Sequence, residues 1–113
     1  MVATTFGQQN IGKGDEIIIT ELEHHSNYVP WHFLRETKKA IIKFAPINED
    51  GDIIIDKLKE LITSKTKIIA VTHLSNVTGT IVPIKEIVEI AHKKNVPVLV
   101  DGCQSVPHIK VDV

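Results

Sequence analysis

The sequence predicts an α/β fold in which crossover helices cover a mostly parallel sheet. Three observations carry this. Four apolar runs rich in Ile and Val, Glu16 to Thr20, Ala40 to Ala45, Lys67 to His73 and Pro97 to Asp101, are nearly continuous rather than alternating, the pattern of strands covered on both faces. Helical periodicities separate them, and strand, helix, strand repeated along a chain implies parallel strands joined by right-handed crossovers. The 113 residues suit one small domain, and with 42% hydrophobic but only 4% aromatic residues its core must be aliphatic.

The elements follow in order. Residues before Gly12 predict the end of a helix. After the first strand, a helix is predicted from about Asn27 to Lys38, with Ser26 as its cap and Pro30 in the first turn, where amide protons lack intrahelical partners. A second helix is predicted from about Asp56 to Ser64, capped by Asp56, with Ile55, Leu58 and Ile62 on one face. The third opens at Pro83. It sets Ile84, Ile87, Val88 and Ala91 against Lys85, Glu86, Glu89 and Lys93, and Asn95 followed by Pro97 closes it.

Charge and cysteine usage exclude several classes. A net charge of −1 makes no electrostatic case for nucleic acid or an acidic membrane, and no apolar run approaches spanning length. Cys103 is the single cysteine, so an internal disulfide is impossible and a cytoplasmic setting is expected. The start lacks the basic and long apolar regions of a signal peptide, so Asn76-Val77-Thr78 is read as a chance sequon. Gly12 and Gly14 precede a strand instead of joining one to a helix, which fails the context of a dinucleotide fingerprint. His24, His25, His73, Cys103 and His108 show no standard zinc spacing, and no metal site is expected.

Open parallel sheets bind ligands at the carboxyl ends of their strands. Past the predicted strand ends come Glu21, Glu23, His24 and His25; then His73, Ser75 and Asn76; then Asp101, Gln104 and Ser105. Asp101 ends the apolar run Val98-Leu99-Val100, where a partly desolvated carboxylate calls for a positive partner such as a protonated pyridine nitrogen; alternatively it caps the next turn. Cys103 is read as a small buried hydrophobe rather than a nucleophile.

Three ordered stretches resemble SUF-type cysteine desulfurases of the class-V aminotransferase family: Glu23-His24-His25-Ser26-Asn27-Tyr28-Val29-Pro30-Trp31, His73-Leu74-Ser75-Asn76-Val77-Thr78-Gly79-Thr80, and Val98-Leu99-Val100-Asp101-Gly102-Cys103-Gln104-Ser105-Val106-Pro107-His108. The resemblance runs from near Gly14 to the last residue. It implies part of the large pyridoxal 5′-phosphate (PLP) domain of fold type I enzymes. It further implies that His24 stacks on the pyridine ring and assists proton transfer, and that Asp101 pairs with the ring nitrogen. Gln104 would bond the phenolic oxygen, with Asn76 near that oxygen and the substrate carboxylate; His25, His73 and His108 would play supporting parts.

The implied reaction removes sulfur from L-cysteine, giving L-alanine and a persulfide for iron–sulfur cluster assembly, in a homodimer that passes sulfur to an acceptor protein. Two other readings stand beside it: a selenocysteine lyase or another class-V relative, and a non-catalytic remnant of a split gene. By the same resemblance the Schiff-base lysine, the phosphate-binding segment, the substrate-carboxylate arginine and the persulfide cysteine belong outside these residues. Residues 1–113 are therefore expected to be a PLP-binding domain truncated at both ends and inactive alone. Such a piece should expose apolar surface. Hydrophobic-dye binding and gel filtration check this: dye fluorescence should rise and the chain should associate, whereas a compact monomer that binds no dye would contradict it.

Overall fold

A computed structural model describes residues 1–112. After a short 3-10 turn at Val2–Thr4, the chain forms α1 (Phe6–Asn10), β1 (Glu16–Thr20), α2 (His25–Lys38), β2 (Ile41–Ala45), α3 (Ile55–Leu61), β3 (Thr66–Thr72), α4 (Ile84–His92), β4 (Val98–Asp101) and α5 (Ser105–His108). The four strands form one sheet in the order β2-β1-β3-β4, every neighbouring pair parallel. The expected α/β architecture is therefore present.

Strand pleating divides the core. Ile17, Ile19, Ile68 and Ala70 pack with Trp31 and Leu34 of α2 and with Ala3 and Ile11, whereas Ile18, Ile69 and Val71 pack with Leu58 and Ile62 and with Ile87 and Ala91 of α4. One face thus belongs to α2 and the other to α3 and α4. Gly7 lies where α1 approaches α2: a Cβ built there would come 2.5 Å from Leu34 Cδ1, so the buried Leu34 side chain would have to shift.

The continuous apolar pattern meant different things in different strands. β1 is buried throughout and β3 nearly so. The edge strands are not: Ile41 and Phe44 of β2 and Val100 of β4 lie at least a third exposed. Apolar sequence alone did not separate a central strand from an edge, because pairing position decides which faces are covered.

Two caps differ from expectation. α2 is capped by His24 rather than Ser26: the His24 ring Nδ1 accepts from the Ser26 amide at 3.2 Å. The side chain of Ser26 approaches the same nitrogen at 3.0 Å. α3 begins at Ile55 with Ile54 in the capping position, so Asp56 lies in the first turn, where its charge still favours the helix dipole. α3 also ends early, since Ile62 turns extended. Asn95 closes the segment after α4 in the left-handed region, as its place before Pro97 suggested, and Lys39 does the same after α2.

At the amino end of the sheet, Glu16 is buried at the start of β1. Its carboxylate receives Lys43 Nζ at 2.8 Å, Thr63 Oγ1 at 2.6 Å and Thr66 Oγ1 at 3.1 Å. Lys43 also donates to the Leu61 carbonyl at 3.1 Å. Burial alone would push the Glu16 carboxyl up; the hydrogen bonds and charge of Lys43, with the two hydroxyls, more than offset it and hold it below the ordinary glutamate range. A carboxylate lowered on folding stabilises fully above its unfolded pKa, about 4.3, and that contribution is lost as pH falls through the folded value. Two outcomes are expected in urea unfolding. Lys43→Met should cost about 3 kcal/mol at neutral pH by leaving a buried charge unpaired. The stability gap between the parent and Glu16→Gln should close as pH falls below the ordinary glutamate range; a gap independent of pH would contradict the network's role.

Candidate functional site

The strand order places a reversal between β1 and β3: the chain leaves β1 toward β2 through α2 on one face, then crosses to β3 on the far side of β1. Such a switch point opens a crevice at the strand carboxyl ends, because the flanking connections run to opposite faces. The polar residues named from the sequence gather at this end. His24 follows β1, Asn76 lies in the loop after β3, Asp101 ends β4 and Gln104 precedes α5.

A carboxylate that the sequence reading left among the loop polar groups organises the crevice. Glu23 Oε1 accepts from the buried Thr20 hydroxyl at 2.6 Å and from the Thr72 amide at 2.9 Å. Its Oε2 accepts from Asn27 Nδ2 at 2.6 Å, and Asn27 Oδ1 faces the indole N–H of buried Trp31 at 3.4 Å. The signal was present in sequence: Glu23, Asn27 and Trp31 stand four apart, Glu23 just ahead of α2 and the other two on one face of it. Burial pushes the Glu23 carboxyl up, the three hydrogen bonds pull against that, and the charge of Asp101 adds to the rise.

Asp101 is half-buried and its Oδ1 accepts from the Cys103 amide at 3.0 Å. The turn-capping alternative is thus real. The same residue also lines a cleft of about 410 Å³ with Leu99, Cys103, Asn27 and Trp31, and no lysine, arginine or histidine among the described residues pairs with it. A half-buried carboxylate with no cation, bordering a cleft at the strand ends, matches the anionic acceptor that a protonated pyridine needs. PLP fits that feature of the chain.

The other expected site residues are near but do not wall this cleft. His24 is exposed and held by its capping bond, with its ring edge-on to His25 at a centroid distance of 6.1 Å. Asn76 and Gln104 are exposed on their loops. His73 borders a separate cleft of about 550 Å³ with Val82, Ile84, Val100 and Lys110, and His108 is exposed in α5.

Cys103 is exposed, contrary to its expected burial. It sits at the turn where the sheet ends, so no second layer covers it. The hydrogen bond and charge of Asp101 push its thiol up, which keeps it protonated and a poor nucleophile. Among the described residues there is no cluster of metal-ligating side chains, and no helix is long and apolar enough to cross a membrane.

The model of the aminotransferase class-V family matches residues 1–113. The chain belongs to this family. It is 50% identical over its whole length to a probable cysteine desulfurase of Halalkalibacterium halodurans, and 46% identical to a cysteine desulfurase of Synechococcus elongatus. It spans 28% and 18% of those two proteins. Among solved structures, the cysteine desulfurase CsdA of Escherichia coli superposes on the whole chain with a TM-score of 0.95 at 36% identity, the match covering 28% of that enzyme. The cystine C-S lyase C-DES, solved with its reaction product cysteine persulfide, matches 91% of the chain and 29% of its own, with a TM-score of 0.81 at 28% identity. Another C-DES structure holds glycine covalently linked to the PLP cofactor. The chain is thus an α/β member of the class-V family, similar in sequence and fold to cysteine desulfurases.

The Glu23 and Asp101 charges should be measurable through each other. In a carbon-13 NMR titration Glu23 should titrate above the ordinary glutamate range. Asp101→Asn should bring it down by removing a repelling charge, and Thr20→Val should raise it by removing a donor to the ionised form. A Glu23 titration indifferent to Asp101→Asn would show that the two groups are not neighbours.

Proposed function

We propose that this chain forms one wall of the cofactor site of a SUF-type cysteine desulfurase, a PLP enzyme that takes sulfur from L-cysteine and leaves L-alanine. The observation that carries the reading is the Asp101 carboxylate, half-buried at the end of β4, beside a cleft and without a cationic partner among the described residues. The family match and the desulfurase relatives supply the reaction class.

When bound, PLP supplies an electron sink for breaking bonds at the amino-acid α-carbon and β-carbon. The chain's own residues then have distinct tasks. Asp101 would hold a proton on the pyridine nitrogen by ion pairing. His24, pinned at the head of α2 through Nδ1, keeps Nε2 as its free ring nitrogen and would lie over the cofactor ring and move a proton. Gln104 would donate an amide proton toward the phenolic oxygen, and Asn76, on the loop after β3, would serve that oxygen and the substrate carboxylate. The elevated Cys103 thiol takes no part as a sulfur carrier, so the persulfide would form on a cysteine outside these residues. The reading extends to a homodimer working in the cytoplasm and handing sulfur to an acceptor protein for iron–sulfur cluster assembly.

The decisive test is Asp101→Asn in the PLP-loaded enzyme carrying this chain. Losing the charge that keeps the ring protonated should lower kcat for L-cysteine at least about a hundredfold, on the order of 3 kcal/mol, with little change in KM. Unchanged turnover would remove the cofactor assignment.

A further inference from the structure

The established fold leaves one linkage at this edge without an assigned task. β1 ends at Thr20 and shares its last rung with β3 at Ile19–Ala70, whereas β3 runs two residues further to Thr72. The Thr72 amide therefore points toward β1 where β1 has no backbone left to offer, and Glu23 fills the gap with Oε1. The next amide, His73, points the other way and donates to the Asp101 carbonyl at 3.0 Å. Thr72 and Asp101 are also partners in the β3–β4 ladder. On the helical side, Glu23 Oε2 holds Asn27, whose own amide donates to the His24 carbonyl at 2.9 Å.

One side chain thus closes a continuous path. It runs from the first turn of α2, which carries His24, across the switch-point crevice to the strand pair that ends in Asp101. We infer that Glu23 is a positioning residue that fixes the spacing between the imidazole of His24 and the carboxylate of Asp101 by bridging α2 to β3. This deepens the proposed function and rests on it: the spacing matters because one group would lie over the cofactor ring and the other at its nitrogen. Glu23 itself touches neither ring nor substrate.

The chemistry of the bridge makes an isosteric variant informative. Glutamine at position 23 can still accept from Thr20 and Thr72 through its carbonyl oxygen. Its amide nitrogen then faces Asn27 Nδ2, donor against donor. If the Asn27 amide flips to accept, its nitrogen turns toward the Trp31 indole N–H, so one hydrogen bond is lost either way. Glu23→Ala removes every strut at once.

Two measurements test the inference, with Glu23→Gln guarding against simple misfolding of Glu23→Ala. In the chain without cofactor, the Thr72 amide should exchange with solvent at least about tenfold faster in Glu23→Ala. In Glu23→Gln it should stay protected while the Asn27 side-chain and Trp31 indole signals shift. Unchanged Thr72 exchange in Glu23→Ala overturns the bridge. In the PLP-loaded enzyme, Glu23→Gln should shift the visible absorbance of the bound cofactor and lower kcat about tenfold with KM changed less than about twofold, and Glu23→Ala should do more. Faster exchange with absorbance and kcat unmoved would leave Glu23 a merely structural strut and overturn the positioning role. A parent protein that takes up no PLP would sink the cofactor-site reading and the positioning role together, while the exchange result would still stand for the bridge alone.

Discussion

Two strands without a solvent face govern this molecule. β1 and β3 lie side by side at the centre of the sheet, with α2 and the amino-terminal residues on one surface and α3 with α4 on the other. A charge inside that slab would have no water and no partner, so polar groups are driven to the strand ends. At the amino end this produces the Glu16, Lys43, Thr63 and Thr66 network; at the carboxyl end it produces Thr20, Glu23, Thr72 and Asp101. The structural and the candidate functional chemistry of the chain are thus separated along the strand axis.

The two ends solve the same burial problem differently. Glu16 is matched by a cation and two hydroxyls, which holds its carboxyl down and commits it to being charged. Glu23 is pushed up by burial, its neutral donors only partly offset this, and the charge of Asp101 adds to the rise. A paired buried charge is a fixed structural feature. A carboxylate pair with no cation is an incomplete one, and the missing positive charge is what a protonated cofactor ring would bring.

Edges tell the same story. β2 and β4 expose Ile41, Phe44 and Val100, although their sequences are as apolar as those of the central strands. The chain spans little more than a quarter of the H. halodurans relative. At its carboxyl edge Asp101 and Asn27 border a cleft, whereas His24, Asn76 and Gln104 stand on exposed loops.

The sequence by itself determined the strand and helix alternation, the parallel sheet, the helix α4 and its Asn95 terminus, and the concentration of polar residues past the strand ends. These are local matters of periodicity, turn chemistry and continuous apolar runs. It also singled out Asp101, whose place after Val98-Leu99-Val100 made an unpaired carboxylate conspicuous. Only the tertiary structure decided which strands are central, that His24 and not Ser26 caps α2, that Cys103 is exposed, and that Glu23 bonds to Thr72, which lies 49 residues away along the chain. The His24 cap is a local choice between side chains two residues apart; the other three share one physical reason. Burial and hydrogen-bond partnership depend on which segments become neighbours, and residues distant along the chain meet only when the sheet is assembled.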